Sequence, residues 1–222
     1  MGSEPAGLGP IGLLGGTFDP VHNAHLAIAH SALALLRFER VLWLPSGMPP
    51  HRAAPVAGAA ARLEMLRLAI AGETRFAIDP RELAKSTPAY TVDTLRELRA
   101  EFGAERALVL LIGGDQFARL STWHLWQELF LLAHLAVFAR PGWSLDANAT
   151  EALRQEQARR RCAPYADWRS HPSGAIVEVP MAPLEISSTA VRARIASGVT
   201  PHDMVPPAVL QYIARNGLYG HP

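Results

Sequence analysis

The order of short apolar runs and longer helical patterns constrains this chain most. The runs are Ile11 to Leu14, Val41 to Leu44, Arg75 to Ile78, Ala107 to Ile112, Leu135 to Phe138 and Ile176 to Val179. Apolar on successive residues and bounded by turn formers, they read as strands covered on both faces, the pattern of a parallel sheet. Helical periodicity fills the gaps over Ala24 to Arg37, Ala60 to Ala71, Thr91 to Phe102, His124 to Leu132 and Ala147 to Arg161. Parallel neighbours need crossover connections, so the expected fold is α/β: a doubly wound, mostly parallel, Rossmann-like sheet. Two C-terminal helices, Thr189 to Ala196 and Pro206 to Arg215, are expected to close it, each followed by a Gly stop. No fixed-period repeat is evident. The first ten residues lack a basic and an apolar signal region and read as a flexible tail, with 11–222 as a single domain.

In open parallel sheets ligands bind beyond the carboxyl ends of the strands. Here those positions carry Gly15-Gly16-Thr17-Phe18-Asp19-Pro20-Val21-His22-Asn23-Ala24-His25, then Pro45 to Arg52, Gly113-Gly114-Asp115 and Arg140-Pro141-Gly142. Composition limits what they can hold. Lys85 is the only lysine among 21 basic residues and follows no Gly-rich run, which excludes a P-loop. Phosphate must then be held by Arg, His or backbone amides. A net charge of +1 argues against nucleic-acid or anionic-membrane partners, and no apolar run approaches the roughly 20 residues that span a bilayer. The lone Cys162 fits a cytoplasmic protein and has no activating His nearby in sequence.

Gly15 and Gly16 let backbone approach a ligand closely, ahead of a helix whose N-terminus favours anions. His22 and His25, three apart, place two imidazoles on one face of that helix start, where they could hold a phosphate gaining charge. The same spacing also suits a capping His22 with a packed His25; a zinc pair lacks a third ligand nearby. Ile186 to Arg192 reads as a second helix start, with a Ser or Thr as cap and Arg192 leaning back over the amides that Ser187 to Thr189 expose, or as an ordinary capped helix with a solvated Arg. Pro49-Pro50 stiffens the loop that presents His51 and Arg52. Asp115 could bind ribose hydroxyls or cap the next helix. Trp43 and Trp126 read as core, and Arg159-Arg160-Arg161 as a solvated helix end.

GGTFDPVHNAH resembles the HxGH-type signature of the nucleotidyltransferase superfamily, and the wider pattern resembles the bacterial nicotinate-nucleotide adenylyltransferase family. The narrower likeness rests on LPSGMPPHR at 44–52, STPAYTVDTL at 86–95, IGGDQFARLSTWHLW at 112–126, FARPG at 138–142 and ISSTAVR at 186–192. It runs from about Ile11 to Tyr219, with Ala24 where the family usually has Gly.

The resemblance implies adenylyl transfer from ATP to nicotinate mononucleotide, releasing pyrophosphate, with Mg²⁺ carried mainly on the ATP phosphates. It casts His22, His25 and Arg192 as the catalytic set. Gly15, Gly16, Thr17, Phe18, Arg52, Gly113, Asp115, Ser187 and Ser188 would contact ATP or phosphate, and Tyr90, Thr91, Trp123 and His124 the nicotinate. Other acceptors, such as nicotinamide mononucleotide or phosphopantetheine, and a non-catalytic nucleotide-binding module are the alternatives. Whether the chain works as a monomer or a homodimer is not encoded in these motifs.

Overall fold

Seven strands form one sheet in the computed structural model, which describes residues 9–47, 54–85, 87–139, 149–181 and 185–220. They are β1 (Ile11–Gly16), β2 (Arg40–Pro45), β3 (Phe76–Ile78), β4 (Leu108–Gly113), β5 (His134–Ala139), β6 (Arg161–Cys162) and β7 (Ile176–Pro180). The spatial order is β3-β2-β1-β4-β5-β7-β6, and each neighbouring pair is parallel. The strand order reverses beside β1, which pairs with β2 on one side and β4 on the other. A crevice opens at such a reversal, because successive connections leave on opposite faces.

The helices are α1 (Asn23–Leu36), α2 (Ala59–Ile70), α3 (Thr91–Phe102), α4 (Gly114–Ala118), α5 (Leu129–Leu132), α6 (Glu151–Arg160), α7 (Ser188–Ala196) and α8 (Pro207–Arg215). Alternate strand residues feed two cores. Leu14, Trp43, Val109 and Leu111 pack with Leu33 and Leu36 of α1, Met65 and Leu66 of α2, Val191 of α7 and Ile213 of α8. Leu13, Leu42, Leu110 and Val137 pack with Val92, Leu95 and Leu98 of α3 and with Leu129 and Phe130 of α5. Each fully buried side chain of this size contributes about 1.5–3 kcal/mol, and together the two layers fix the sheet between helices on both faces.

Some local expectations need correction. No helix runs over His124 to Leu132: Leu125 adopts φ 49°, which interrupts it, leaving a 3₁₀ turn at Trp126–Glu128 and then α5. Trp123 and His124 therefore sit in a turn and not at a helix start. The helix expected from Ala147 begins at Glu151, where the Thr150 hydroxyl accepts from the Leu153 amide at 3.4 Å. β6 and α4 were not anticipated; two and five residues are too short to show a period. β5 starts one residue earlier than expected, at His134. Its ring is fully buried: Nδ1 accepts from the Ala175 amide at 3.0 Å and Nε2 bonds the His171 carbonyl at 2.8 Å.

Candidate active site

The turn after β1 forms the floor of the crevice. A Cβ on Gly15 would meet nothing within 4 Å, so the space above it is open. A Cβ on Gly16 would lie 2.9 Å from the Phe18 ring, so only glycine lets that ring fold under the turn. Phe18 itself adopts φ 51°, a left-handed conformation that costs about 1–2 kcal/mol. Burial offsets the cost, since its ring packs edge-on to His25 at 5.0 Å and against Trp43 at 5.4 Å. The Phe18 side chain is thus a prop for His25, and only its backbone can meet a ligand.

His22 is the N-cap of α1, and its ring stacks on His25 with centroids 3.7 Å apart. The His22 amide donates to His25 Nδ1 at 3.2 Å, which places the proton of the neutral His25 ring on Nε2. His22 is only 5 % exposed, and its Nδ1 is buried with no partner among the described residues. Burial lowers the His22 pKa to about 4 and takes His25 well below its ordinary value, His22 adding to the effect. Both rings are therefore uncharged at neutral pH, each with one N–H to donate. The first amide of α1 is not open: Asn23 donates to the Met204 carbonyl at 2.8 Å.

The start of α7 docks against the same turn. Ser187 caps it, accepting from the Ala190 amide at 3.1 Å, and the Ser188 hydroxyl donates to the Pro20 carbonyl at 3.0 Å. Both hydroxyls have structural partners, so these serines would meet phosphate chiefly through first-turn amides. Arg192 leans back as its helical position requires, donating from Nη1 to the Asp19 carbonyl at 2.7 Å. The fold thus brings His22, His25, Ser188 and Arg192 to one turn, although α7 lies near the other end of the chain.

Across the strand reversal, Asp115 is exposed at the head of α4, accepting only from Gln116 at 3.3 Å among the described residues. Gly113 is the N-cap of α4, so Asp115 stands in the first turn and not at the cap. Tyr90 precedes Thr91 at the head of α3 and packs on His124 with ring centroids 4.5 Å apart. Tyr90 and Trp123 both rest against the α3 core, so these aromatics share one neighbourhood. Arg52 and His51 lie outside the described residues, as does Arg140-Pro141-Gly142. Trp43 is fully buried, as expected, while Trp126 packs only partly buried against Phe130. The arginine run is a paired surface: Arg160 binds Glu156 at 2.7 Å and Arg161 binds Glu178 at 2.5 Å. Cys162 is half-buried, and burial pushes its thiol pKa up, against reactivity.

Three residues around the site escaped the sequence reading. Arg62, 2 % exposed, donates from Nη1 to the carbonyls of Thr17 at 2.7 Å and Ser46 at 2.8 Å, lacing the β1 and β2 turns together. The buried Asp19 carboxylate accepts from the amides of Val56 at 2.7 Å and Ala57 at 3.1 Å. Tyr219, in the last turn of the chain, donates its hydroxyl to Asp19 Oδ1 at 2.7 Å. Only Asp19 carried a signal, through its place inside the GTFDP stretch.

The cytidylyltransferase-like family model matches residues 13–194. A Dechloromonas aromatica protein named "Probable nicotinate-nucleotide adenylyltransferase" is 44% identical over 95% of this chain and 97% of its own. One of the same name from Chromobacterium violaceum is 46% identical over 94% of this chain and 98% of its own. Among solved structures, Plasmodium falciparum nicotinic acid mononucleotide adenylyltransferase complexed with NaAD superimposes with a TM-score of 0.71 over 96% of this chain and 98% of that one. At 17% identity that match speaks for the fold alone. Full-length identity at this level, together with the crevice geometry, places the chain in the cytidylyltransferase-like family and, within it, among the nicotinate-nucleotide adenylyltransferases.

Proposed function

We propose that this protein transfers the adenylyl group of ATP to nicotinate mononucleotide, giving nicotinate adenine dinucleotide and pyrophosphate, in NAD biosynthesis. The observation that carries the reading is the stacked His22–His25 pair, uncharged and partly without counter-groups, set beside Arg192 and the head of α7 at the strand reversal. Such a place suits a polyphosphate: neutral N–H donors, a guanidinium and helix amides converge where charge grows.

The mononucleotide phosphate attacks the α-phosphorus of ATP in line, and the bond to the leaving pyrophosphate breaks. No protein nucleophile is required, so the chain contributes alignment and charge stabilisation. His25 Nε2–H and the His22 ring donate to the ATP phosphates, while Arg192 and the amides of Ser187 and Ser188 take the triphosphate tail. Gly15, Gly16, Thr17 and Phe18 line its approach with backbone, and Gly113 and Asp115 receive the ribose. Arg52 receives phosphate from the loop after β2. Tyr90, Thr91, Trp123 and His124 form the nicotinate subsite, with Trp123 as the stacking surface and Thr91 at the carboxylate. Among the described residues no group of three or more His, Cys, Asp or Glu could hold a metal ion. Mg²⁺ would be carried mainly on the ATP phosphates, where it would screen the triphosphate charge.

Residues 11–222 act as one domain in this reading, and the lone free Cys162 fits a cytoplasmic setting. Among the described residues no helix is long and apolar enough to cross a membrane. Pyrophosphate release with ATP, Mg²⁺ and each acceptor in competition tests the assignment. Turnover is expected with nicotinate mononucleotide in preference to nicotinamide mononucleotide and phosphopantetheine; ATP binding without turnover on any acceptor would replace it with a nucleotide-binding module.

A further inference from the structure

The turn from Thr17 to Pro20 is gripped through its carbonyls. Arg62 holds the Thr17 oxygen, Arg192 the Asp19 oxygen and Ser188 the Pro20 oxygen. The Asp19 side chain is occupied differently. Oδ2 accepts from the Val56 amide at 2.7 Å, and Oδ1 accepts from the Tyr219 hydroxyl at 2.7 Å and the Ala57 amide at 3.1 Å. Arg192 Nη1, bonded to the Asp19 main chain, stands 3.9 Å from Oδ2, too far for a hydrogen bond.

This arrangement settles a competition. A carboxylate and a guanidinium so close would ordinarily close to a charge-assisted bond at about 2.7–2.9 Å. Asp19 does not, because its donors draw the carboxylate toward the 56–57 backbone and the C-terminal turn. Arg192 gives its N–H groups to neutral oxygens, the Asp19 carbonyl at 2.7 Å and the Thr189 hydroxyl at 3.5 Å, and keeps its charge for an anion. The Tyr219 hydroxyl is suited to this part: burial and the Asp19 carboxylate both raise its pKa, so it remains a donor.

We propose that Tyr219 is a positioning residue for ATP: with the Val56 and Ala57 amides, its hydroxyl holds the Asp19 carboxylate off Arg192 and keeps that guanidinium available to the triphosphate. The proposal rests on the reading that Arg192 receives ATP phosphates. Without the hydroxyl, Asp19 swings toward Arg192, and ATP must displace it.

Calorimetric titration of ATP, without acceptor, into the full-length wild type, Tyr219→Phe, Arg192→Gln and the double variant separates the possibilities. Tyr219→Phe keeps the ring and its packing. It should weaken ATP binding by about three- to tenfold, the worth of one hydrogen bond, and should have no such effect in the Arg192→Gln background. Unchanged ATP affinity in Tyr219→Phe, with Arg192→Gln clearly weakened, overturns the proposal and leaves the ATP reading standing. Equal weakening in both backgrounds also overturns it, since Tyr219 would then act through the fold. If Arg192→Gln binds ATP like wild type, the phosphate role of Arg192 fails, and the proposal with it. Should Tyr219→Phe not fold, Val56→Pro takes its place; it removes the amide on Oδ2 at a residue 65 % exposed and should reproduce the same Arg192-dependent loss.

Discussion

Acid should destabilise this protein through a histidine remote from the crevice. His134 is fully buried and neutral: Nδ1 accepts the Ala175 N–H, so the ring proton sits on Nε2 and is donated to the His171 carbonyl. A second proton would set N–H against N–H. Desolvation accordingly lowers its pKa to about 4, from the 6.5 expected in the unfolded chain. The unfolded state therefore binds a proton between these values that the native state refuses, and stability falls as pH drops through 6.5 toward 4. From pH 7 to pH 5 the two titration curves diverge by about 2 kcal/mol. Gln can accept from Ala175 and donate to His171 without titrating, so His134→Gln isolates the contribution. Urea unfolding of both proteins at pH 7 and pH 5 should show the wild type losing about 2 kcal/mol more than the variant. The buried His22 has a similarly lowered pKa and adds its own loss to both proteins, which the comparison cancels. Equal losses would refute the argument and mean that the His134 ring accepts its second proton in the folded state.

Other consequences are nearer the site. Arg62→Met strips the donor from the Thr17 and Ser46 carbonyls and should cost about 3–5 kcal/mol in urea unfolding; a cost near zero would mean the two turns are held without it. Gly47→Ala places a Cβ 2.2 Å from the Glu82 carbonyl, so the β2 turn must shift, and a loss of about 1–3 kcal/mol is expected; an unchanged melting temperature would contradict that contact. His25→Ala should lower pyrophosphate release by about 10²–10³-fold while the protein still melts cooperatively. An active variant would remove His25 from the proposed mechanism.

The sheet was legible in the sequence because its signal is local. Buried parallel strands such as Val41 to Leu44 are apolar at every position, and the helix between Thr91 and Phe102 ends at Gly103, so both declare themselves within a dozen residues. The same locality placed His22 and His25 on one helical face, where they stack. It misled at Leu125, where apolar periodicity continued through a residue whose φ of 49° lies outside the helical range. It fell one residue short at His134, where a polar side chain is buried in the strand with both ring nitrogens satisfied.

What could not be read is the support beneath the site, and the reason is separation along the chain. Arg62 reaches Thr17 across 45 residues, Arg192 reaches Asp19 across 173, and Tyr219 reaches Asp19 across 200. Each alone resembles a common case: an arginine in an amphipathic helix, a helix-start arginine, a tyrosine near a terminus. Only the fold shows that all three meet one turn, where a buried carboxylate sits between two guanidiniums. Such a cluster is a costly way to gain stability, since each ion must be desolvated. Its value here is directional. Carbonyl oxygens that would repel phosphate are bonded to Arg62, Arg192 and Ser188, while the Asp19 charge is drawn toward the 56–57 backbone and Tyr219. The negative groups of the turn are thus occupied by partners within the chain, and in the proposed function the crevice side is left to the donors that a polyphosphate would need.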